Sequence, residues 1–206
     1  MEKEDEGGED KSMKVVSKRE KVIKLIAQCP LEGLMLKDIM YLTGYPKQSI
    51  ASILRFFYSF YLVEKIYSYG YREGGIILYK DTFYYPTNNV YKIDAIRTYL
   101  KEKCELFLNG DDGRTIPIRG RNSVRLFHIS NLRDLTTVAV TLSKYEVLDF
   151  IGKITPYLDR ELGDRILSLR LKKLLGRVED LRTLLHATIH TICTREQEVR
   201  EVMVRL

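Results

Sequence analysis

Residues 36–66 read LKDIMYLTGYPKQSIASILRFFYSFYLVEKI, and this stretch decides the fold of the first half of the chain. Apolar residues at helical spacing between Leu36 and Met40 mark a short helix. Gly44 suits the left-handed position that follows the end of a helix. Pro46 lies near the first turn of a longer helix, where the amide hydrogen that proline lacks would have no helical partner. The stretch therefore predicts two helices joined by a tight turn.

Regular patterns flank this stretch on both sides. A helix is predicted from Ser17 to Cys29, because Ser17 begins a capping box and Pro30 pushes the residue before it out of the helical region. After the third helix the apolar residues change to the period of strands, and the glycines at 70–75 predict a hairpin between two β-rich runs. Three helices followed by a hairpin are therefore expected between residues 18 and 86.

The order of these elements resembles the winged helix-turn-helix superfamily, in the style of the MarR, ArsR and PadR transcription regulators. The resemblance covers residues 18–86, which is under half of the chain. It implies that residues 36–42 form the positioning helix, that residues 46–60 form the recognition helix, and that residues 67–75 form the first strand and tip of the wing. It also implies a protein that places its recognition helix in the major groove of double-stranded DNA.

The third helix has the polar side chains that a groove contact requires. Between its core positions lie small or hydrogen-bonding residues, namely Lys47, Gln48, Ser49, Ser52 and Arg55. We expect Gln48, Ser49 and Ser52 to reach base edges, where sequence is read. Lys47 and Arg55 are expected to hold phosphates, which position a protein on the duplex without specifying its sequence.

The predicted wing adds DNA-binding candidates. In the wing the candidates are Tyr69, Tyr71 and Arg72, and an arginine at the tip suits the negative potential of the minor groove. Glu73 dilutes the positive charge there.

Residues 56–61, at the end of the third helix, are unusually aromatic, which favours either burial under the middle of the chain or a protein interface. A winged helix that binds a protein instead of DNA is therefore an alternative.

The chain as a whole is expected to be α+β, mostly helical and organised in four parts. Residues 1–17 are predicted to be a disordered acidic tail, and residues 18–86 the winged helix. Residues 87–142 are interpreted as a mixed α/β connecting segment, in which a helix precedes three strand-like runs, the last from Thr136 to Leu142. Residues 143–206 are predicted to be a helical dimerisation segment.

A heptad pattern runs through the last forty residues. Apolar residues recur in steps of four and three from Leu167 to Leu206, and only Thr188 and Arg195 break the register. A 3.5-residue repeat is what the seam of a coiled coil requires. The pattern predicts a homodimer through residues 144–206. A long helix packed on its own domain is the alternative, since it needs the same stripe.

Charge and cysteine content narrow the class of protein. The net charge is +6 although the first ten residues contain six acidic residues and one lysine, so the rest of the chain attracts polyanions. Three widely spaced cysteines without a CxxC motif give neither a disulfide framework nor a zinc ribbon. No apolar run approaches the roughly 18 residues that a membrane span needs. We expect a soluble, cytoplasmic protein that does not contact a membrane.

Two further clusters are weaker candidates. The Arg-Gly-Arg motif of Arg119 and Arg121 resembles the core of an AT-hook, which makes both arginines secondary DNA-binding candidates, and a solvated turn is the alternative. His186, His190 and Cys193 share one face of a helix, but a transition metal needs a fourth ligand. A packing face is the preferred interpretation, so neither a metal nor a cofactor is predicted.

The favoured function is a sequence-specific transcription regulator that binds double-stranded DNA as a homodimer. Catalytic residues are not predicted, because the sequence has no phosphate-binding loop, zinc-protease motif or nucleophile elbow. Two alternatives remain open. One is a module for protein interaction and assembly, and the other is a plasmid or viral partition or replication protein that binds DNA.

Overall fold

In a computed structural model, the chain is described for residues 8–72, 75–110 and 113–206, with side chains from residue 18 onward except 69–80. It divides into two compact units, residues 1–97 and 98–206. Both units contain helices and a small antiparallel sheet, so the predicted α+β, mostly helical class is confirmed. None of the described helices has the length and apolarity to cross a bilayer.

The first unit contains three helices and a three-stranded antiparallel sheet. The helices are α1 (Gly8–Ala27), α2 (Leu36–Thr43) and α3 (Lys47–Ser59), and the strands are β1 (Leu34–Met35), β2 (Val63–Arg72) and β3 (Gly75–Pro86). Strand β3 lies between β1 and β2. A 3-10 turn, Val90–Lys92, follows the sheet. The predicted hairpin is therefore confirmed, and β1 extends it on one side.

The junction between α2 and α3 follows from two residues. Gly44 ends α2 in the left-handed region at φ +74, and its amide donates to the Met40 carbonyl over 2.8 Å. Pro46 is extended at φ −67 and directly precedes α3. Ile39 and Ile50, on either side of the junction, are fully buried. The predicted pair of helices and its tight turn are therefore confirmed.

Two predictions in this unit are wrong at helix ends. Helix α1 begins at Gly8, so residues 8–17, expected as part of a disordered tail, are helical. Extending an existing helix needs no new nucleus, which explains why α1 continues beyond its predicted start. The helical spacing of the apolar residues predicts that the apolar face of the third helix continues to Tyr61, but Tyr61 lies beyond α3 at φ +52. Residues 1–7 of the predicted tail lie outside the described residues.

The second unit is mainly helical. Its elements are α4 (Asp94–Asn109, which begins in the first unit), β4 (Arg114–Arg119), β5 (Val124–Ile129), α5 (Leu132–Thr141), α6 (Val147–Tyr157), a π-helical turn (Leu158–Leu162), α7 (Arg165–Leu175) and α8 (Leu181–Arg205). Residues 98–206, which include most of the predicted connecting segment, form one unit with the C-terminal helices.

The strand predicted from Thr136 to Leu142 is a helix. Residues 136–141 belong to α5, whose N-cap Asn131 accepts a hydrogen bond from the Asp134 amide over 2.9 Å, and Leu142 is its C-cap. The buried residues of α5 recur at helical spacing and are Leu132, Leu135, Val138 and Ala139. Packing of this face against α8 outweighs the strand preference of the β-branched residues.

The heptad stripe that predicts a coiled-coil seam is divided between two helices. Helix α7 ends at Leu175, and α8 starts five residues after Gly176, with Asp180 accepting from the Thr183 amide over 2.7 Å. Helix α8 packs against α5, α6 and α7 of the same chain. Five apolar residues of the stripe are buried inside the unit, as the alternative of a helix packed on its own domain requires, namely Leu167, Leu171, Ile192, Val199 and Val202. The others are partly exposed. Self-association through residues 144–206 stays a prediction.

Candidate nucleic-acid interface

Helix α3 separates an apolar side from a hydrophilic side. Its buried residues are Ile50, Ile53, Leu54 and Phe57. Of the residues predicted to contact DNA, Lys47, Gln48, Ser52 and Arg55 are exposed and Ser49 is partly exposed. Gln48, Ser52 and Arg55 recur in steps of four and three, so they share one side of the helix, and Lys47 and Ser49 lie on its two flanks. The structure therefore brings Gln48, Ser52 and Arg55 together on a face that is open to solvent.

The start of α3 favours an anion. The first amides of a helix have no helical acceptor and lie at the positive end of the helix dipole. The first turn of α3 contains no acidic residue, and the N-cap Pro46 offers no side-chain acceptor to these amides. Lys47 adds a formal positive charge at the same place. A phosphate oxygen near this turn would meet amide donors and one ammonium group.

Basic residues of α1 lie beside α3, and they were not among the DNA-binding residues predicted from the sequence. Lys18 Nζ and Lys21 Nζ lie 5.5 Å and 5.3 Å from the ring centroid of Tyr45, one residue before Pro46. The Arg19 guanidinium lies 4.0 Å from the ring centroid of Phe56, in the second half of α3. The signal was present in the sequence as a dense basic run at the predicted start of α1.

A lysine of the sheet adds charge at the other end of α3. Lys65 Nζ, on β2, lies 4.6 Å from the ring centroid of Tyr58. We define the basic border of α3 as Lys18, Arg19, Lys21 and Lys65. Together with Lys47 and Arg55 these residues place positive charge along the length of a helix that contains no aspartate or glutamate. This distribution attracts a polyanion to the exposed face of α3.

A cavity of about 370 Å³ opens beside the start of α3. Its polar lining includes Lys37, Lys47, Asp81 and Tyr84, and Lys37 Nζ lies 3.7 Å from Asp81 Oδ1. Burial raises the pKa of the Tyr84 phenol, and the nearby Tyr67 adds to the rise. The Tyr84 hydroxyl, which like any phenol is protonated at neutral pH, can donate a hydrogen bond.

The predicted wing contacts are described only through their backbone. Tyr69, Tyr71 and Arg72 belong to β2, and Tyr71 pairs with Ile76 while Arg72 pairs with Gly75. A bulge shifts the register between residues 68 and 70. The structure describes no side chains between residues 69 and 80. The role of these three side chains in binding therefore stays a prediction.

The secondary candidates Arg119 and Arg121 are exposed at the turn between β4 and β5. The Arg121 guanidinium lies 5.6 Å from the ring centroid of Tyr145, and Lys144 Nζ lies 5.1 Å from the same centroid. Arg125 is engaged within the unit, because it donates to the Thr141 carbonyl over 3.0 Å. Arg119 and Arg121 belong to the second unit, whereas α3 belongs to the first.

The remaining sequence candidates do not form a metal site in the described part of the chain. His186 and His190 are exposed on α8, and Cys193 is partly exposed. Across residues 8–72, 75–110 and 113–206, no group of three or more His, Cys, Asp or Glu residues is placed to hold a metal ion.

Aromatic residues at the end of α3 form an exposed patch. Tyr58, Phe60 and Tyr61 are exposed, with Tyr61 retaining 76% of its accessible surface. The ring centroids of Phe56 and Phe60 lie 4.5 Å apart. Exposed aromatic clusters of this kind occur at protein interfaces.

No family model, curated protein or solved structure matches the chain. Its function must therefore be inferred from the site itself.

Proposed function

We propose that the chain is a transcription regulator that binds double-stranded DNA, with the first unit acting as a winged helix and α3 as the recognition helix. The observation that carries this proposal is the exposed, acid-free side of α3, with an apolar side buried directly behind it. A helix of this kind can enter the major groove and remain anchored to its domain.

The residues of α3 divide into two roles. Gln48, Ser49 and Ser52 would read base edges, since amide and hydroxyl groups both donate and accept hydrogen bonds. Lys47 and Arg55 would contact phosphates on either side of the groove. The basic border of α3 would add further contacts to the backbone, which raise affinity without adding sequence preference.

The sheet that follows α3 supports the comparison with a wing. Strands β2 and β3 form a long antiparallel hairpin, paired from Val63 and Pro86 to Arg72 and Gly75. The tip of such a hairpin would reach the groove next to the one that α3 enters. Tyr69, Tyr71 and Arg72 would then be its contacting residues, and Arg72 would suit a narrow minor groove.

Homodimerisation belongs to the same proposal. A two-fold dimer would place two α3 helices in half-sites about one helical turn apart. Much of the apolar stripe of α7 and α8 is buried inside the unit, so an interface within residues 144–206 would have to use residues that are exposed or partly exposed. Leu148, Leu175 and Val204 are large apolar residues of that segment that remain exposed.

A second candidate function is supported by the aromatic patch of Tyr58, Phe60 and Tyr61. In this alternative the first unit would bind a protein, and the chain would act as an interaction or assembly module. A plasmid or viral partition or replication protein would instead share the DNA-binding mode and differ in the sites that it occupies.

One titration separates DNA binding from protein binding. Fluorescence anisotropy of the full chain with a labelled random duplex should show binding at about 50 mM salt and a loss of about 100-fold in affinity at about 200 mM, as expected for some four phosphate contacts. Absence of binding at the lower salt concentration would contradict the proposed function and favour the interaction module.

A further inference from the structure

The β4–β5 hairpin alternates between two kinds of residue pair. The Gly120 amide donates to the Ser123 carbonyl over 2.8 Å and closes the turn. The next pairs are Arg119 with Val124 and then Ile118 with Arg125. Because hydrogen-bonded and non-hydrogen-bonded pairs alternate in an antiparallel ladder, the pair of Arg119 and Val124 directs its backbone groups outward.

The same alternation continues along both strands. The outward-directed positions are Arg119, Pro117 and Thr115 on β4, opposite Val124, Leu126 and His128 on β5. Pro117 fits this assignment, because proline has no amide hydrogen and is tolerated only where a strand needs no donor. The outward backbone groups of the two strands define the two edges of this sheet.

The edge of β4 is closed by side chains of α6. The Arg119 amide donates to Asp149 Oδ2 over 2.7 Å, and Lys153 Nζ donates to the Pro117 carbonyl. Lys153 and Asp149 are themselves paired over 2.8 Å. These contacts, with the missing amide hydrogen of Pro117, leave this edge a poor template for another strand.

The edge of β5, in contrast, is exposed and largely apolar. Val124, Leu126 and His128 are all exposed, and Val124 and Leu126 retain 59% and 70% of their accessible surface. Within the described part of the chain, this sheet has two strands, and β4 is the strand that pairs with β5. An apolar edge strand with outward amides and carbonyls is a site for adding a further strand.

We propose that β5 pairs with β5 of a second copy of this chain, antiparallel and with the two-fold axis at Leu126. This alignment places Leu126 opposite the partner's Leu126 and Val124 opposite the partner's His128. All three outward positions then form hydrogen-bonded pairs, each of which exchanges two hydrogen bonds. The two hairpins join into one four-stranded sheet.

The side chains of β5 are compatible with this self-pairing. On the exposed face, Leu126 meets its own copy across the axis, so apolar surface is buried at the centre. On the other face, Arg125 lies opposite the partner's Phe127. Within one chain the Arg125 guanidinium already lies 4.6 Å from the ring centroid of Phe127. No two like charges stand directly opposite each other in this register, which favours a second copy as the occupant.

The predicted dimer is reversible. Pairing of two six-residue strands buries less surface than the roughly 1,200–2,000 Å² of a stable interface, so a weak, concentration-dependent association is expected. The inference does not rest on DNA binding. Its test contains no DNA, so it can fail or succeed independently of the proposed function.

Analytical ultracentrifugation of the full chain tests the pairing. Wild type should gain one step of association between about 1 and 100 µM, the range expected of a weak interface. This step is from monomer to dimer, or from dimer to tetramer if residues 144–206 already hold two chains together. Leu126→Pro removes an outward amide hydrogen without breaking the ladder to β4, and should weaken dimerisation at least about tenfold, since two hydrogen bonds to the partner are lost. Thr115→Pro, the matched change at the opposite edge, should dimerise as wild type does. A wild type whose association state is constant over this range, or a Leu126→Pro variant that associates equally well, would overturn the proposal.

Cross-linking provides a second readout that does not depend on the proline variants. Residues of a hydrogen-bonded pair have Cα atoms about 5.5 Å apart, which is within the range that a disulfide spans. Leu126→Cys should therefore form a covalent dimer under mild oxidation, whereas Thr115→Cys and wild type, with its three native cysteines, should not. Equal cross-linking of the Leu126→Cys and Thr115→Cys variants would contradict the two-fold axis at Leu126.

Discussion

Arg195 Nε donates to Asp164 Oδ2 over 2.8 Å, and both side chains are buried. Asp164 also caps α7 by accepting from the Leu167 amide over 3.1 Å. The buried Glu198 accepts from Arg195 over 3.2 Å and from Arg170 over 2.7 Å. Two basic and two acidic side chains thus form a connected set where α7 meets α8, which fixes the relative register of these helices.

Asp164→Ala should lower the free energy of unfolding by about 3–5 kcal/mol, because it removes one of the two carboxylates that pair with the buried Arg195 and also removes a helix cap. Urea denaturation measures the loss. Asp159→Ala is the control, since Asp159 pairs with Lys172 near the surface and should lose at most about 1 kcal/mol. Similar losses in the two variants would contradict a special role for the buried set.

Cys104 should be protected from alkylation in the folded protein. Burial raises the pKa of its thiol to about 11; the nearby Arg195 opposes the rise and Asp164 adds to it. At pH 8 the reactive thiolate is therefore rare. Iodoacetamide labelling followed by peptide mass spectrometry should modify the partly exposed Cys193 first and Cys104 only after addition of urea. Equal native labelling rates for these two cysteines would contradict the predicted order.

Asp149 should make stability depend on pH in the acid range. Burial tends to raise the pKa of this carboxyl, but hydrogen bonds from Lys153 and the Arg119 amide outweigh it and hold the pKa below its usual 3.8. A lowered folded-state pKa stabilises the fold above the usual value, and this contribution disappears as pH falls through the folded-state value. Thermal unfolding should show Asp149→Asn less stable than wild type at pH 7. The deficit should shrink as pH falls below 3.8, and a constant deficit would contradict the assignment.

The first unit could be predicted from sequence because its signals are local. Gly44 and Pro46 each restrict the backbone of their own position, so the turn between α2 and α3 follows from two residues. The hairpin of β2 and β3 likewise follows from glycines between β-rich runs. Strand β1 has two residues, Leu34 and Met35, and is too short to show a period. It exists because its pairing with β3 is set by the tertiary fold.

The second unit was harder to predict because packing between distant segments decides it. The β-branched residues of α5 favour a strand, but Leu132, Leu135 and Ala139 are buried at helical spacing. Arg195 interrupts the apolar pattern of α8, and yet it is fully buried because its partner Asp164 comes from a segment 31 residues earlier. Sequence spacing alone does not show which distant charge will meet it.

For the candidate interface, Gln48→Ala and Arg55→Ala should have different effects. Arg55→Ala should weaken binding to every duplex and lower the salt slope by about 0.9, because one phosphate contact is lost. Gln48→Ala should mainly relax sequence preference, since its amide is assigned to a base edge. Selection of bound genomic fragments provides the preferred duplex, and anisotropy compares it with a random one. Equal losses on both duplexes for Gln48→Ala would contradict its role.

The most direct test of the central claim introduces a negative charge on the exposed face of α3. Ser52→Glu should weaken duplex binding at least about tenfold at low salt, because a carboxylate would face the phosphates and lose hydration in the groove. Thr137→Glu, at an exposed position of α5, is the matched control and should bind nearly as wild type does. If both variants bind the duplex equally well, α3 does not face DNA and the account of this protein as a winged-helix regulator is contradicted.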